Sequence, residues 1–471
     1  MKVLPGLVIA GLIPAGWVLM AADNKPLPKE MPAYGALAPV KTPVVKPFRL
    51  DNGMTVWLVP QLGFPKVSFT VAVKGGYTAD QKDRPGQADL LAATVTQGTE
   101  GKTAKQLAED IAAAGGDLDA GATADSITLE TTVLSEKAEG TVQLLADVMQ
   151  RASFAESEVA IAKTNLLSSL QVNEADPSFL ARRALYRALF GSHAYAVTSP
   201  TKETLTATTA ADLKREFARR MRPDRTILVV VGDFGETALS GSIRSAFGAW
   251  KAAGEAAPIV SEKPQPRFSK AVVYVAREGS VQTALYLGTL GPGRTAPDYA
   301  ASRVATAIYG GMFGSRLVNN IREDKGYTYS PGARLTPNTL TGVLVTRADV
   351  RNAVTGASFN EMQYELNRMA TTVPDEEEVE HAKRYLLGSL ALQLQSQAAV
   401  SRALSALWVD GLPPEELSRQ ARMVQSVKPA DVQAAGKKYF PVWRSAIVAV
   451  GEEKVIRDEL GAFGLEFQKV Q

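Results

Sequence analysis

Part of this sequence occurs twice, and no other feature restricts its possible folds as tightly. Glu158-Val159, Ala162-Lys163, Leu166-Leu167 and Ser169-Leu170 return 220 positions later as Glu378-Val379, Ala382-Lys383, Leu386-Leu387 and Ser389-Leu390. A second block behaves the same way. Ala211-Asp212, followed by the strand-like run from Arg225 to Asp233, returns at an offset of 219 as Ala430-Asp431 followed by Arg444 to Glu452. Two blocks that keep nearly one offset imply one folding unit used twice, each copy about 200 residues long, an ordinary domain size.

The junction falls in 253–270, where Pro258, Pro264 and Pro266 interrupt a polar stretch without apolar periodicity. A first domain over 48–252 and a second over 271–471 result. Thr55 to Val59, Val67 to Val73 and the alternating run Ser126 to Val133 read as strands on their β-branched and aromatic content. Thr103 is placed to cap a helix that carries Leu107 and Ile111 one turn apart and ends at Gly115-Gly116. The second domain repeats the order, with a strand at Thr283 to Leu287 leading into a helix over Ala300 to Tyr309. The expected fold is α+β: two homologous domains in tandem, each a mainly antiparallel sheet with helices packed on one face.

Ahead of the first domain, Lys2 precedes an uncharged stretch from Val3 to Ala22 that ends at Asp23. This reads as an export signal over 1–22, either cleaved or retained as an anchor through residues 3–22. The expected destination is the periplasm, with tethering to the inner membrane as the retained form. A Pro-rich stretch over 23–47 reads as a tether. The 52 Lys and Arg nearly balance 49 Asp and Glu, with no block of like charge, which disfavours nucleic-acid binding. Cysteine is absent, so neither disulfides nor thiolate metal sites are available. The two histidines, His193 in a loop and His381 in the other domain, read as a loop-packing residue and a solvent-facing helical one.

Two segments give the chain a resemblance to the pitrilysin/insulinase metallopeptidase family. The run Pro85 to Thr99 resembles the zinc helix of that family, whose H-x-x-E-H motif sets two histidines on one helix face with a water-activating Glu between them. Asp89, Ala92 and Ala93 stand at those three positions, and the family's downstream Glu ligand aligns with Ser169. One carboxylate cannot build a three-ligand zinc site, and alanine transfers no proton. Asp89 then reads as a solvated or capping residue. The run Ser315 to Ser330 resembles the family's substrate clamp, in which an arginine and a tyrosine seven residues later hold the substrate backbone. Arg322 and Tyr329 match in type and spacing. Gly326 is placed to end the helix carrying Arg322, so that Tyr329 begins the next strand and the two side chains converge. The bland alternative is an Arg paired with Glu323 or Asp324 and a Tyr in the sheet core. The cluster Gly310 to Gly314 lacks the Gly-Lys-Ser/Thr ending of a phosphate loop and reads as close packing or a flexible segment.

The resemblance implies half of a clamshell that encloses extended peptides. It implies a non-zinc subunit of a heteromeric metallopeptidase, inactive alone, that lends Arg322 and Tyr329 in trans to a homologous zinc-bearing subunit. No cofactor is expected on this chain, with zinc expected in that partner. A chaperone-like peptide binder without hydrolysis and a purely architectural subunit are the competing expectations.

Overall fold

The structure, a computed structural model, describes residues 35–36, 39–267 and 271–470. Every described helix and strand lies within residues 40–471, which form one compact unit. The expected leader, and the expected tether up to residue 34, lie outside the described residues. Among the described residues no helix is long and apolar enough to cross a membrane.

Two six-stranded sheets form the frame. The first contains β1 (Lys46–Arg49), β2 (Thr55–Pro60), β3 (Lys66–Lys74), β4 (Asp119–Ala122), β5 (Ser126–Leu134) and β6 (Thr226–Gly232) in the order β1-β2-β6-β3-β5-β4. The second contains β7 (Ala271–Ala276), β8 (Gln282–Gly291), β9 (Gly332–Pro337), β10 (Gly342–Arg351), β11 (Ala446–Gly451) and β12 (Glu466–Lys469) in the order β12-β7-β11-β8-β10-β9. Pairing is antiparallel except between β2 and β6, β7 and β11, and β7 and β12. The sheets correspond strand for strand except at one edge, where the first uses the N-terminal β1 and the second the C-terminal β12.

β6 is buried along its whole length, and β3 on both faces over most of its length, which a sheet covered on one side does not explain. The cover comes from the other domain. The helix Gln397–Val409, in the second repeat, places Val400, Leu404 and Leu407 against Trp57, Ala72, Ile227 and Val229 of the first sheet. Its counterpart Pro177–Phe190, in the first repeat, packs on β7, β8 and β11 of the second sheet. There Leu185 sits over Gly288 so closely that a Cβ at Gly288 would come within 2.8 Å of Leu185 Cδ2. Each sheet thus carries its own helices on one face and a helix of the other domain on the opposite face. The expectation of helices on one face alone is corrected: an apolar helix stripe shows that a partner exists, without naming it.

The stretch between the sheets is pinned to the first domain, with Val260 N donating to Thr78 O at 3.0 Å and Ala257 N to Arg219 O at 3.1 Å. Thr103 and Gln106 form a reciprocal cap on the helix Ala104–Ala113. The expected helix over Ala300 to Tyr309 is α-helical only at Tyr299–Thr306 and widens to a π-helical turn at Ala307–Gly311. Close packing explains the paired glycines of that turn, since a Cβ at Gly310 would lie 2.9 Å from Ala333 Cβ.

Candidate functional site

The helix Gln87–Val95 starts at Gly86, whose φ of 78° and whose approach to Pro200, 2.3 Å from a built Cβ, admit only glycine. Its first amides are held from outside the helix. Asp80 Oδ2 accepts from Gly86 N at 2.7 Å and Oδ1 from Ala88 N at 3.1 Å, a carboxylate at the positive end of the helix. Asp80 is itself fixed by Arg220, which is 1% exposed and also reaches Glu216. Burial pushes the Asp80 carboxyl up to about 6 against the pull of Arg220.

Asp89 lies one turn into this helix, and both its oxygens accept from the Tyr77 hydroxyl at 3.0 Å. Burial raises it to about 7, against the pull of the Tyr77 hydrogen bond and with help from the Asp80 charge. The expectation of a solvated or capping Asp89 is corrected, because Asp80 takes the capping role. Ala92 is buried, Ala93 half-buried and Ser169 exposed on the neighbouring helix Glu156–Glu174. These four positions do not fit a zinc ion. They offer one carboxylate already engaged by a phenol, two methyl groups and one hydroxyl, and no imidazole. Among the described residues no three His, Cys, Asp or Glu side chains gather as a metal-binding group. His193 is tied into its loop, Nδ1 accepting from Tyr195 N at 3.1 Å and Nε2 lying 2.9 Å from Glu262 O. His381 lies half exposed on the helix Glu376–Gln393, with Nε2 3.9 Å from Glu377.

Arg322 and Tyr329 do come together. Arg322 stands on a π-helical turn, Asn319–Asp324, and Gly326 at φ 61° ends it with Gly326 N on Arg322 O and Tyr327 N on Ile321 O. The neighbours of Arg322 anchor the turn. Arg316 forks onto Glu378 with two bonds of 2.6 Å, and the Asn320 amide donates to Glu361 at 3.0 Å and Glu365 at 2.8 Å. Thr328 is buried, its hydroxyl donating to Asp349 O at 2.7 Å, which turns the adjacent Tyr329 outward to 82% exposure. The expectation that Tyr329 begins a strand is corrected. Pro331 has no N–H for the ladder, and β9 begins only at Gly332.

The Arg322 guanidinium lies 4.8 Å from the Tyr329 ring centre and 4.8 Å from that of Phe313. It is held between two exposed aromatic faces, with Glu323 Oε1 at 3.3 Å from Nε as its ion-pair partner. Both halves of the bland alternative are therefore answered: the Glu323 pair exists at the surface, and Tyr329 is not in the sheet core. Phe313, 69% exposed inside the glycine cluster, is the residue that motif reading passes over. An aromatic in a glycine-rich loop was its only sequence signal. The hydroxyl of Tyr329 and the outer guanidinium nitrogens of Arg322 can act as a pair of hydrogen-bond donors toward an approaching carbonyl. Among the described residues no hydrogen bond, ion pair or ring contact joins this pair to Asp89, Ala92, Ala93 or Ser169.

Residues 61–200 match the family model described as Insulinase (Peptidase family M16), and residues 207–386 match the one described as Peptidase M16 inactive domain. The chain belongs to peptidase family M16. Among its M16 relatives, the uncharacterized zinc protease YmxG of Bacillus subtilis (strain 168) is 25% identical over 362 residues, 75% of this chain and 85% of that one. The non-peptidase homolog YmxG of Helicobacter pylori is 24% identical over 351 residues, 73% of this chain and 79% of that one. The crystal structure of a peptidase M16 inactive domain from Pseudomonas fluorescens superposes with a TM-score of 0.80 at 28% identity, covering 87% of this chain and 98% of that one. This M16 chain thus matches both family domains and the family fold, while the helix Gln87–Val95, the one that resembles the family's zinc helix, contains no histidine.

Proposed function

We propose that this chain is the non-zinc subunit of a heteromeric metallopeptidase, enclosing peptides together with a homologous zinc-bearing subunit and lending Arg322 and Tyr329 to the scissile carbonyl in trans. The observation that carries this reading is the exposed pair itself: Arg322 pre-stacked on Tyr329 by anchored neighbours, in a chain whose zinc-helix positions are Asp89, Ala92 and Ala93. Zinc in the partner would supply the Lewis acid and the activated water. What this chain supplies is donation. A carbonyl oxygen gains negative charge as the carbon is attacked, so a fixed cation and a phenol hydroxyl bind it more strongly in the transition state than in the ground state. Stacking between Phe313 and Tyr329 limits the guanidinium's motion before substrate arrives, which lowers the cost of ordering it. The name of the Helicobacter pylori relative, a non-peptidase homolog, agrees with a chain that does not cleave alone. A purely architectural role leaves the exposure of Tyr329 unexplained. The proposed place of action is the periplasm, reached through residues 1–22, with residues 3–22 as the membrane tether in the retained form.

The test is reconstitution with the zinc-bearing relative from the same organism. Tyr329→Phe removes one hydroxyl and keeps the ring that stacks on Arg322, so it is expected to leave assembly and unfolding temperature unchanged while cutting peptide turnover by about a hundredfold. Full turnover by the variant complex, or cleavage by the purified chain without a partner, overturns the reading.

A further inference from the structure

Between the two domains lies a crevice of about 1010 Å³, larger than the usual small-molecule pocket. Its floor is the part of the second sheet's face, toward the β9 edge, that lies beyond the helix Pro177–Phe190 packed on that same face, and its walls are the start of that helix and the helices of the second domain. Four arginines line it: Arg182 from the first domain, and Arg303, Arg334 and Arg347 from the second. Arg334 and Arg347 come from neighbouring strands, since Val345 pairs with Arg334 and Gly332 with Arg347. Among the described residues none of the four has a carboxylate within 4.0 Å, and none donates a side-chain hydrogen bond. Elsewhere in the chain arginines are regularly engaged, as Arg316 is by Glu378 and Arg220 by Glu216 and Asp80. Among the described residues Asp176 is the only carboxylate lining the crevice, and it is occupied as a helix cap, accepting from Ser178 N at 2.9 Å. Asp349, two residues along β10 from Arg347, is the next negative charge.

Arg182 lies 5.7 Å from the Phe179 ring centre, but four guanidinium groups lining one crevice with no carboxylate within 4.0 Å repel one another and are stabilised by an anion that fits among them. The surfaces between them decide which anion. Phe179, Tyr186, Tyr286 and Val345 present apolar and aromatic faces to the same space, which a bare polyphosphate would leave wet and a peptide would cover. We infer that this crevice binds an acidic segment of a peptide, its Asp and Glu carboxylates on Arg334, Arg347, Arg303 and Arg182 and its apolar side chains on the intervening rings. The inference rests on the peptide-handling reading above for the polymer being a peptide, and adds that the peptide is acidic.

The experiment measures binding of the full chain, without a partner, to a fluorescent twelve-residue peptide containing four Glu, to its Gln-for-Glu counterpart and to inorganic tripolyphosphate. The acidic peptide is expected to bind at least tenfold more tightly than the Gln version and to weaken as salt rises. Arg334→Gln combined with Arg347→Gln is expected to abolish that preference, whereas Lys82→Gln with Lys214→Gln, the same loss of charge elsewhere on the surface, keeps it. Equal affinity for the two peptides, or a preference that survives the double arginine variant, overturns the crevice assignment and leaves the Arg322 and Tyr329 reading standing. Tripolyphosphate binding as tightly as the acidic peptide overturns the choice of a peptide. Binding of no peptide at all overturns the crevice assignment, whereas the Arg322 and Tyr329 reading is decided by turnover of the reconstituted complex.

Discussion

Replacing Arg220 with Met should cost this chain more stability than almost any other single change, and the structure sets the size of the loss. Arg220 Nε donates to Glu216 Oε2 at 3.0 Å and Nη2 to Asp80 Oδ1 at 2.9 Å; Nη1 reaches Gly76 O at 3.1 Å and Nη2 also Ala79 O at 3.0 Å. Methionine fills the space of the stem and satisfies none of these acceptors. Both carboxylates keep other donors: Asp80 its two backbone amides, and Glu216 the Arg219 guanidinium at 2.7 Å and Gln81 at 2.9 Å. Breaking a buried ion pair from one side costs about 3–5 kcal/mol, and these remaining donors place the loss at roughly 3–4 kcal/mol. For a domain of this length that corresponds to a fall of about 6–16 °C in unfolding temperature.

The assay is thermal unfolding of wild type and Arg220→Met followed by intrinsic fluorescence, at pH 5 and pH 8. Burial pushes Asp80 up to about 6, and the Arg220 charge is what opposes that push there and at Glu216. Without Arg220 the Asp80 carboxyl rises further and Glu216, held below the usual carboxylate range in the native chain, loses a main cause of that lowering, so the native variant holds protons at Asp80 that the unfolded chain has released. Its stability then falls as pH rises, and the deficit against wild type should be larger at pH 8 than at pH 5. Adding Asp80→Asn and Glu216→Gln to the variant should recover part of the loss, since the uncompensated charges are gone. A fall of less than about 2 °C in the single variant, which corresponds to no more than about 1 kcal/mol, refutes the claim that Arg220 holds the start of the helix bearing Asp89.

Three further outcomes are expected. Phe313→Ala removes one of the two rings on Arg322, worth about 0.5–1 kcal/mol at an exposed site, and should slow turnover of the reconstituted complex severalfold with the unfolding temperature unchanged; equal turnover argues against a positioning role. Asp89→Asn should stabilise the chain at pH 8 and progressively less as pH falls toward 5, because the native Asp89 carboxyl, raised to about 7, carries a burial penalty only once ionised; an equal gain at both pH values contradicts its assigned titration. Leu404→Ala, at the centre of the exchanged helix, should cost about 2–5 kcal/mol and lower the unfolding temperature of the first sheet as well as the second, and a loss confined to the second domain contradicts the reciprocal packing.

The duplicated architecture was legible because it leaves a mark at two levels, repeated residue pairs at one offset and the same strand and helix order after them. Strand interiors were legible too, with Val67 to Val73 lying inside β3 and Ser126 to Val133 inside β5. What escaped reading was whatever depends on partners far apart in the chain. The helix Gln397–Val409 has an apolar face in the sequence, yet nothing there says that the face meets β3 and β6, more than 160 residues away. The same holds for Asp89, whose surroundings are set by Tyr77 and by an Asp80 that displaces it from the capping role, and for four arginines brought to one crevice from a helix of each domain and two strands.

Arg322 and Tyr329 were legible for the opposite reason. Their encounter needs only one tight turn, and the turn residue Gly326 lies between them in the sequence. The zinc-helix positions show why this chain folds without the family's metal ligands. The helix Gln87–Val95 is held by Asp80, Gly86 and a core face of Leu90, Leu91 and Val95, none of which coordinates metal in the family pattern. Ala92 fills its place with a methyl group and Ser169 faces solvent, so neither position asks for a metal to complete its packing. The fold therefore rests on the exchanged helices and the Arg220 cluster, while the chemistry of the second domain rests on a separately anchored turn. The proposed function needs that separation, because a subunit lending donors to a partner's zinc must fold without metal of its own and hold its donor turn independently of the zinc-helix positions.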